Sequence, residues 1–174
     1  MLYEFDFLLS GIPNCNHPMT TNEELINTFY TAFQKGDYKT MQACYHDEAI
    51  FSDPVFNNLN ANQVRSMWEM FCVKSKDLNI SFSNVSADDS TGRAEWIATY
   101  PFSKTGNKVT NHISARFIFK DGKIIKHTDT FSFYKWASQA LGMKGTLLGW
   151  TGFVKKKVQS AGLKSLNDYM NSKG

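Results

Sequence analysis

Cysteine is scarce in this chain, and the three present stand far apart. Cys15, Cys44 and Cys72 form no CxxC pair and no Cys/His spacing of a zinc site. That excludes a disulfide framework and fits a reduced compartment. Long hydrophobic runs are also missing. The opening stretch, MLYEFDFLLSGIPNC, is too short to cross a bilayer and carries Glu4 and Asp6 where a secretory signal would be basic. The expectation is therefore a cytoplasmic protein with no membrane partner. Strong charge of either sign is absent too: a net +3 gives little reason to expect nucleic acid. LGMKGT, from Leu141 to Thr146, holds glycines and a lysine but lacks the GK[ST] order of a phosphate loop. Repeats, low-complexity segments and a recognisable Ser-His-Asp motif are likewise absent.

What the chain has is aromatic bulk. Aromatic residues make up 14% of 174 positions, 14 of them Phe, alongside 42% hydrophobic and 20% charged residues. This describes one globular domain with a substantial core. Aromatics in such numbers pack as plain core or wall a cavity for a flat apolar ligand.

Residues 1–18 read as an N-terminal arm ending in the loop-like GIPNCNHP, with the domain spanning 19–174. Thr21 or Asn22 then caps a helix carrying Glu23 and Glu24 in its first turn and stopping at Gly36. Leu25, Phe29, Ala32 and Phe33 fall at helical spacing. A short helix follows over YKTMQACY, then a strand, AIFSDPVF, ending in a turn at Asp53-Pro54. NANQVRSMWEMFCVKS returns to helix with Val64, Met67, Trp68, Phe71 and Cys72 on one face.

From Leu78 the period changes to two. LNISFSNVS, RAEWIATYPF, VTNHISARFIF and KIIKHTDTFSFYKW alternate apolar and polar residues and are separated by short turns, among them a KDG hairpin. Four such strands predict an antiparallel meander. The tail from about residue 135 is helix-like, with Gly162 as its break or bend. Helices first and an antiparallel sheet afterwards make the fold class α+β.

The order helix, short helix, strand with SDPVF, helix and meander resembles the NTF2-like superfamily, and within it the SnoaL-like and ketosteroid-isomerase-like members. The resemblance covers roughly residues 20–133 and rests on FQKGDYKTMQACYHDEAIFSDPVF and FKDGKIIKHTDTF. It implies a cone-shaped curved antiparallel sheet packed on the N-terminal helices around a deep apolar pocket, here with extra C-terminal helices. It also implies a homodimer through the sheet face. In ketosteroid isomerases the aspartate of the Asp-Pro motif is the proton-transfer base, and Asp53 matches it. The tyrosine that such enzymes place on the first helix matches Phe29, with Tyr30 beside it, and both join the ligand-binding candidates. The strand position of their second donor falls near Ala115 or Ser114, neither acidic. Oxyanion donors are worth ~3–4 kcal/mol apiece, so steroid isomerisation is not the expectation. SnoaL-like cyclases commonly carry a His and an Asp on the last strand, which here match His127 and Asp129. Limonene epoxide hydrolases need an Asp-Arg-Asp set, for which no convincing arginine is present.

Alternation puts His127, Asp129, Phe131 and Phe133 on one face of the last strand. Burial there would raise a carboxyl pKa toward useful acid/base values. The competing reading is a structural polar pair. Asp53 before Pro54 is, in isolation, a turn former more often than a base. Trp96 and Tyr100 share a face with Ala94 and Ala98, which reads as packing or as room for a flat ligand, with Asn111 on the next strand as a further polar contact. Lys155 to Val158 reads as a solvated helix face; Trp150, Phe153 and Val154 beside it offer a membrane-surface or partner-binding alternative.

The expected protein is a small acid/base enzyme of the isomerase, cyclase or related lyase/hydrolase kind, working on an apolar carbonyl compound without metal or cofactor. Its candidate catalytic residues are Asp129, His127 and Asp53; its candidate ligand contacts are Trp96, Tyr100, Phe131, Trp68, Asn111, Tyr30 and Phe29. A non-catalytic ligand-binding protein and a protein-interaction module of the same fold are the alternatives. A filled cavity would favour the module, a dry open one the binder, and an open one with both carboxylates wet the enzyme.

Overall fold

The computed structural model describes residues 21–75, 77–149 and 151–173; the expected arm, Cys15 and Trp150 lie outside them. Helix α1 (Thr21–Gln34) buries Ile26, Phe29, Tyr30 and Phe33 along one stripe. Each such side chain taken out of water contributes about 1.5–3 kcal/mol. Asn22 does not cap this helix: its amide donates to Asp88 O at 2.8 Å and ties α1 to a sheet turn. After α2 (Tyr38–Ala43), capped by Asp37, come β1 (Tyr45–Ser52) and the two-residue β2 (Leu59–Asn60). Helix α3 (Ala61–Lys74) starts at a capping box in which Asn60 and Gln63 satisfy each other's backbone N–H groups.

Strands β3 (Asn79–Ala87), β4 (Thr91–Pro101), β5 (Lys108–Lys120) and β6 (Lys123–Thr130) form the expected antiparallel meander. Between β5 and β6, Asp121 and Gly122 both have positive φ, as a two-residue hairpin loop requires. The six-stranded sheet has the order β2-β1-β6-β5-β4-β3, and β1 joins β6 in parallel. The curved sheet is therefore mixed. On its inner face the core fills with side chains from α1, α3 and the strands; Ser81, Glu95, His112, Ser114 and Arg116 are exposed on the outer face.

The last strand is shorter than alternation suggested. It ends at Thr130, and Ser132 Oγ accepts from Lys135 N–H to start α4 (Phe133–Leu141). Phe133 is thus the first residue of a helix. Because β6 stops early, part of β5 lacks a strand neighbour, and Gln139 of α4 takes its place: Thr110 N–H donates to Oε1 at 2.8 Å, and Nε2 donates to Thr110 O at 3.1 Å. α5 (Met143–Leu148) and α6 (Gly152–Asn171) complete the fold. α6 runs through Gly162 without a break. A Cβ there would stand 2.9 Å from Val55 Cγ1 and 3.4 Å from Phe56, so the glycine lets α6 lie against the loop after Asp53. Gln159 Nε2 donates to Pro54 O at 3.1 Å and fastens the same contact.

Candidate functional site

A cavity of about 800 Å³ lies between the inner sheet face, α3 and the C-terminal helices. Its walls are mostly apolar. Trp96, Ala98 and Tyr100 come from β4, Asn111 from β5, Trp68 from α3, and Phe131 from the segment after β6. Alternation puts Trp96, Ala98 and Tyr100 on one side of their strand, and the small alanine leaves room between the two rings. Two carboxylates reach the same space, Asp53 and Asp129.

Asp129 belongs to a continuous buried chain of polar groups. Trp68 Nε1–H donates to Tyr45 Oη at 2.9 Å. Tyr45 Oη lies 2.6 Å from His127 Nδ1, and His127 Nε2 lies 3.0 Å from Asp129 Oδ1. With the imidazole neutral and its proton on Nε2, the tyrosine hydrogen donates to Nδ1 and the Nε2 proton donates to the carboxylate. Trp96 Nε1–H adds a second donor to Oδ1 at 3.3 Å. Each donor finds one acceptor with a neutral imidazole, so the network is satisfied without a buried cation. Aromatic rings wall it: Phe117 stands 4.4 Å from the His127 ring, and Phe29, Phe51 and Trp68 surround it. Burial pushes the Tyr45 phenol well above its ordinary pKa and keeps it a donor. Asp129 Oδ2 accepts from no described group, and Asp129 lines the cavity.

Asp53 is anchored in the same manner by different means. Its Oδ1 accepts from Val55 N–H at 2.6 Å and from Phe56 N–H, while its own N–H donates to Phe56 O at 2.7 Å. This is the turn that Asp-Pro predicts. Its Oδ2 has no hydrogen-bond partner among the described residues, and Asp53 lines the cavity. Burial pushes the Asp53 carboxyl up to about 7; the Phe56 and Val55 N–H groups oppose that shift, and the charge of Asp129 adds to it. Asp53 is therefore a turn residue and a titrating cavity group at once.

Tyr100 accepts from Trp136 Nε1–H at 2.9 Å, which leaves its hydroxyl hydrogen free to donate. Burial raises its pKa against the pull of Trp136, and the Asp53 charge raises it further. Asn111 lines the cavity, half-buried. Phe29 and Tyr30, expected at the ligand, do not border the cavity: both are fully buried in the core, because α1 turns a broad stripe inward. The Tyr30 hydroxyl is sealed there without a partner among the described residues. The sequence does not single out Trp136, and it leaves open whether Tyr45 reaches the cavity. Tyr45 opens a strand where a helical reading of YKTMQACY had it closing a helix, and Trp136 belongs to the helix that α4 makes of an expected strand. Burial pushes the Cys44 and Cys72 thiols up to about 11, which disfavours the thiolate at both. No group of three or more His, Cys, Asp or Glu among the described residues could hold a metal ion.

A fold with an inner cavity braced by paired polar residues defines a class, and comparison with known proteins gives it a family. A SnoaL-like domain model matches residues 26–127. The chain belongs to the SnoaL-like family of the NTF2-like superfamily. No curated protein matches the chain significantly. Among solved structures, a candidate polyketide cyclase from Xanthomonas campestris is 18% identical, with a TM-score of 0.58 over 69% of this chain and 96% of that one. An LEH-like epoxide hydrolase from M. tuberculosis is 18% identical, with a TM-score of 0.56 over 78% and 96%. TerC, co-crystallised with polyporic acid, is 13% identical, with a TM-score of 0.60 over 71% and 100%. At these identities the likeness speaks for the fold.

Proposed function

We propose that this protein is a cofactor-independent acid/base enzyme that moves a proton next to the carbonyl of a small apolar compound, as an isomerase or cyclase does. One observation carries the reading: two carboxylates, each hydrogen-bonded through Oδ1 and with Oδ2 unpartnered among the described residues, line a single apolar cavity. Asp129 Oδ2 takes the proton from the carbon beside the carbonyl. The C–H electron pair passes into an enolate, whose oxygen receives hydrogen bonds from the Tyr100 hydroxyl and the Asn111 amide. Asp53, its carboxyl pushed up to about 7, holds a proton in part of the molecules at neutral pH and supplies it to the enolate or to a leaving oxygen. His127 positions Asp129, and Tyr45 positions His127. Trp96, Trp68 and Phe131 hold the flat apolar part of the substrate. General acid/base catalysis of this sort supplies about 10²–10⁴-fold. The open cavity, lined by both carboxylates, favours this reading over the interaction module. The names of the cyclase and hydrolase neighbours, and the polyporic acid co-crystallised with TerC, are consistent with a small-molecule substrate. The exposed outer sheet face is the surface through which we expect two copies to pair.

The test is carbon-proton exchange in D₂O, followed by NMR over a panel of flat apolar ketones and β-dicarbonyls. Exchange that Asp129→Asn or Asp53→Asn abolishes supports the enzyme. Line broadening of a ketone without exchange assigns the cavity to binding alone.

A further inference from the structure

From Thr130 to Asn167 the chain carries six lysines and no aspartate, glutamate or arginine. The other residues hold 13 basic side chains (19 less these six) against 16 acidic ones, so the C-terminal helical unit is positive on a body of opposite sign. Within it the apolar side chains of α5 and the start of α6 point outward. Met143 is 81% exposed, Leu147 66%, Leu148 52% and Phe153 70%. Monomer surfaces seldom gather large apolar side chains in this way unless another phase or molecule covers them.

The same segment borders the mouth of the cavity: Leu148 and Phe153 line it together with Lys144 and Lys157. Lys157 Nζ lies 5.3 Å from the centre of the Phe153 ring. Among the described residues no carboxylate pairs with Lys144, Lys155, Lys156 or Lys157. Among the described residues the only acidic ones lining the cavity are Asp53 and Asp129. An acidic protein would answer the lysines, yet seated there it would cover the mouth. A bilayer with anionic headgroups answers both halves of the surface, taking the apolar side chains at its acyl boundary and the ammonium groups among its phosphates. It also leaves an apolar cavity opening onto an apolar phase.

We propose that α5 and the first turns of α6 form a peripheral docking surface for an anionic membrane, with the cavity mouth turned toward the lipid. No described helix is long and apolar enough to cross a membrane, so the contact is interfacial. The inference stands independently of whether the cavity catalyses.

The test is co-flotation of the full chain with vesicles of phosphatidylcholine alone, and with about one third phosphatidylserine. The wild type is expected to float with the anionic vesicles and far less with the neutral ones. Lys155→Gln with Lys156→Gln should weaken this more than tenfold, since each lysine near the surface is worth roughly fivefold. Met143→Ser with Leu147→Ser should weaken it to a similar degree. None of these four residues borders the cavity and all are exposed, so circular dichroism and thermal unfolding should match wild type. Failure to float with anionic vesicles would overturn the proposal. So would equal binding to neutral vesicles, or binding indifferent to Met143 and Leu147. Self-association that the Met143/Leu147 pair abolishes, without vesicle binding, would assign the patch to a second copy of the chain and overturn it as well.

Discussion

His127 and Asp129 stand two residues apart on β6, and their side chains meet on the inner face of the sheet at 3.0 Å, imidazole Nε2 to carboxylate Oδ1. A pleated strand sends residues i and i+2 to the same side but does not by itself join them. They join because Tyr45 and Trp96 approach from the two ends, Tyr45 pairing with His127 Nδ1 and Trp96 adding a second donor to Asp129 Oδ1. The arrangement costs the protein two buried polar residues, 0% and 4% exposed, and it is stable only as a set.

Tyr45→Phe tests that dependence. Loss of the hydroxyl leaves Trp68 Nε1–H and His127 Nδ1 unpaired in the core. Urea unfolding should show a loss of about 1–3 kcal/mol. The His127→Ala variant, which opens a cavity as well, should lose more. The double variant should lose less than the sum of the two, because both remove one shared bond. Additive losses would mean the chain of bonds does not act as a unit.

Asp53 should give stability a slope with pH. Its folded pKa of about 7 lies above the ordinary aspartate value near 3.8. Between these values the folded state binds more protons than the unfolded one, so this group's contribution is greatest below about pH 4 and is lost as pH rises to about 7. Allowing for its partial exposure, the change should be about 1–3 kcal/mol. Denaturation from pH 4 to 8 should show that decline in the wild type and a flatter profile in Asp53→Asn. An unchanged slope in the variant would assign the decline to other groups.

Tyr30→Phe is expected to gain stability. The hydroxyl is buried with no described partner, and an unmade hydrogen bond in the core costs about 1–3 kcal/mol. A gain of about 1 kcal/mol in chemical unfolding is the predicted result. A loss would show that the hydroxyl is bonded in solution, for instance to a buried water.

Much of this was legible in the residues, for physical reasons that also set the limit. Period-two alternation brought His127, Asp129, Trp96 and Tyr100 to the inner face, because each lies within a strand whose far side meets water. The same rule carried Phe133 too far, since alternation cannot see Ser132 capping a helix. Phe29 and Tyr30 were placed at the ligand by likeness to a motif, yet α1 buries a stripe wide enough to take both into the core. The parallel pairing of β1 with β6 joins residues some 75 positions apart (Phe51 with His127), and no local pattern announces such a pairing. Tyr45 reaches His127 only through it. Gly162 looked like a break because glycine weakens helices; the reason for it lies in Val55, a neighbour only in space.

Gly162→Leu follows from that contact. A Cβ would already crowd Val55 at 2.9 Å, and a larger side chain must push α6 from the loop that holds Asp53. Overpacking of this kind costs about 1–3 kcal/mol. The variant should unfold earlier in urea and bind cavity ligands more weakly. Wild-type stability together with unchanged ligand affinity would show that α6 does not hold the loop.

The central claim is that Asp53 and Asp129 face one cavity closely enough to act as a pair. It is tested most directly by titrating the aspartate carboxyl carbons by NMR, with Asp53 assigned by its loss in Asp53→Asn. The account predicts a midpoint for Asp53 of about 7 and a downward shift in Asp129→Asn, where the neighbouring charge is gone. An Asp53 midpoint in the ordinary carboxylate range, unmoved by Asp129→Asn, would contradict it.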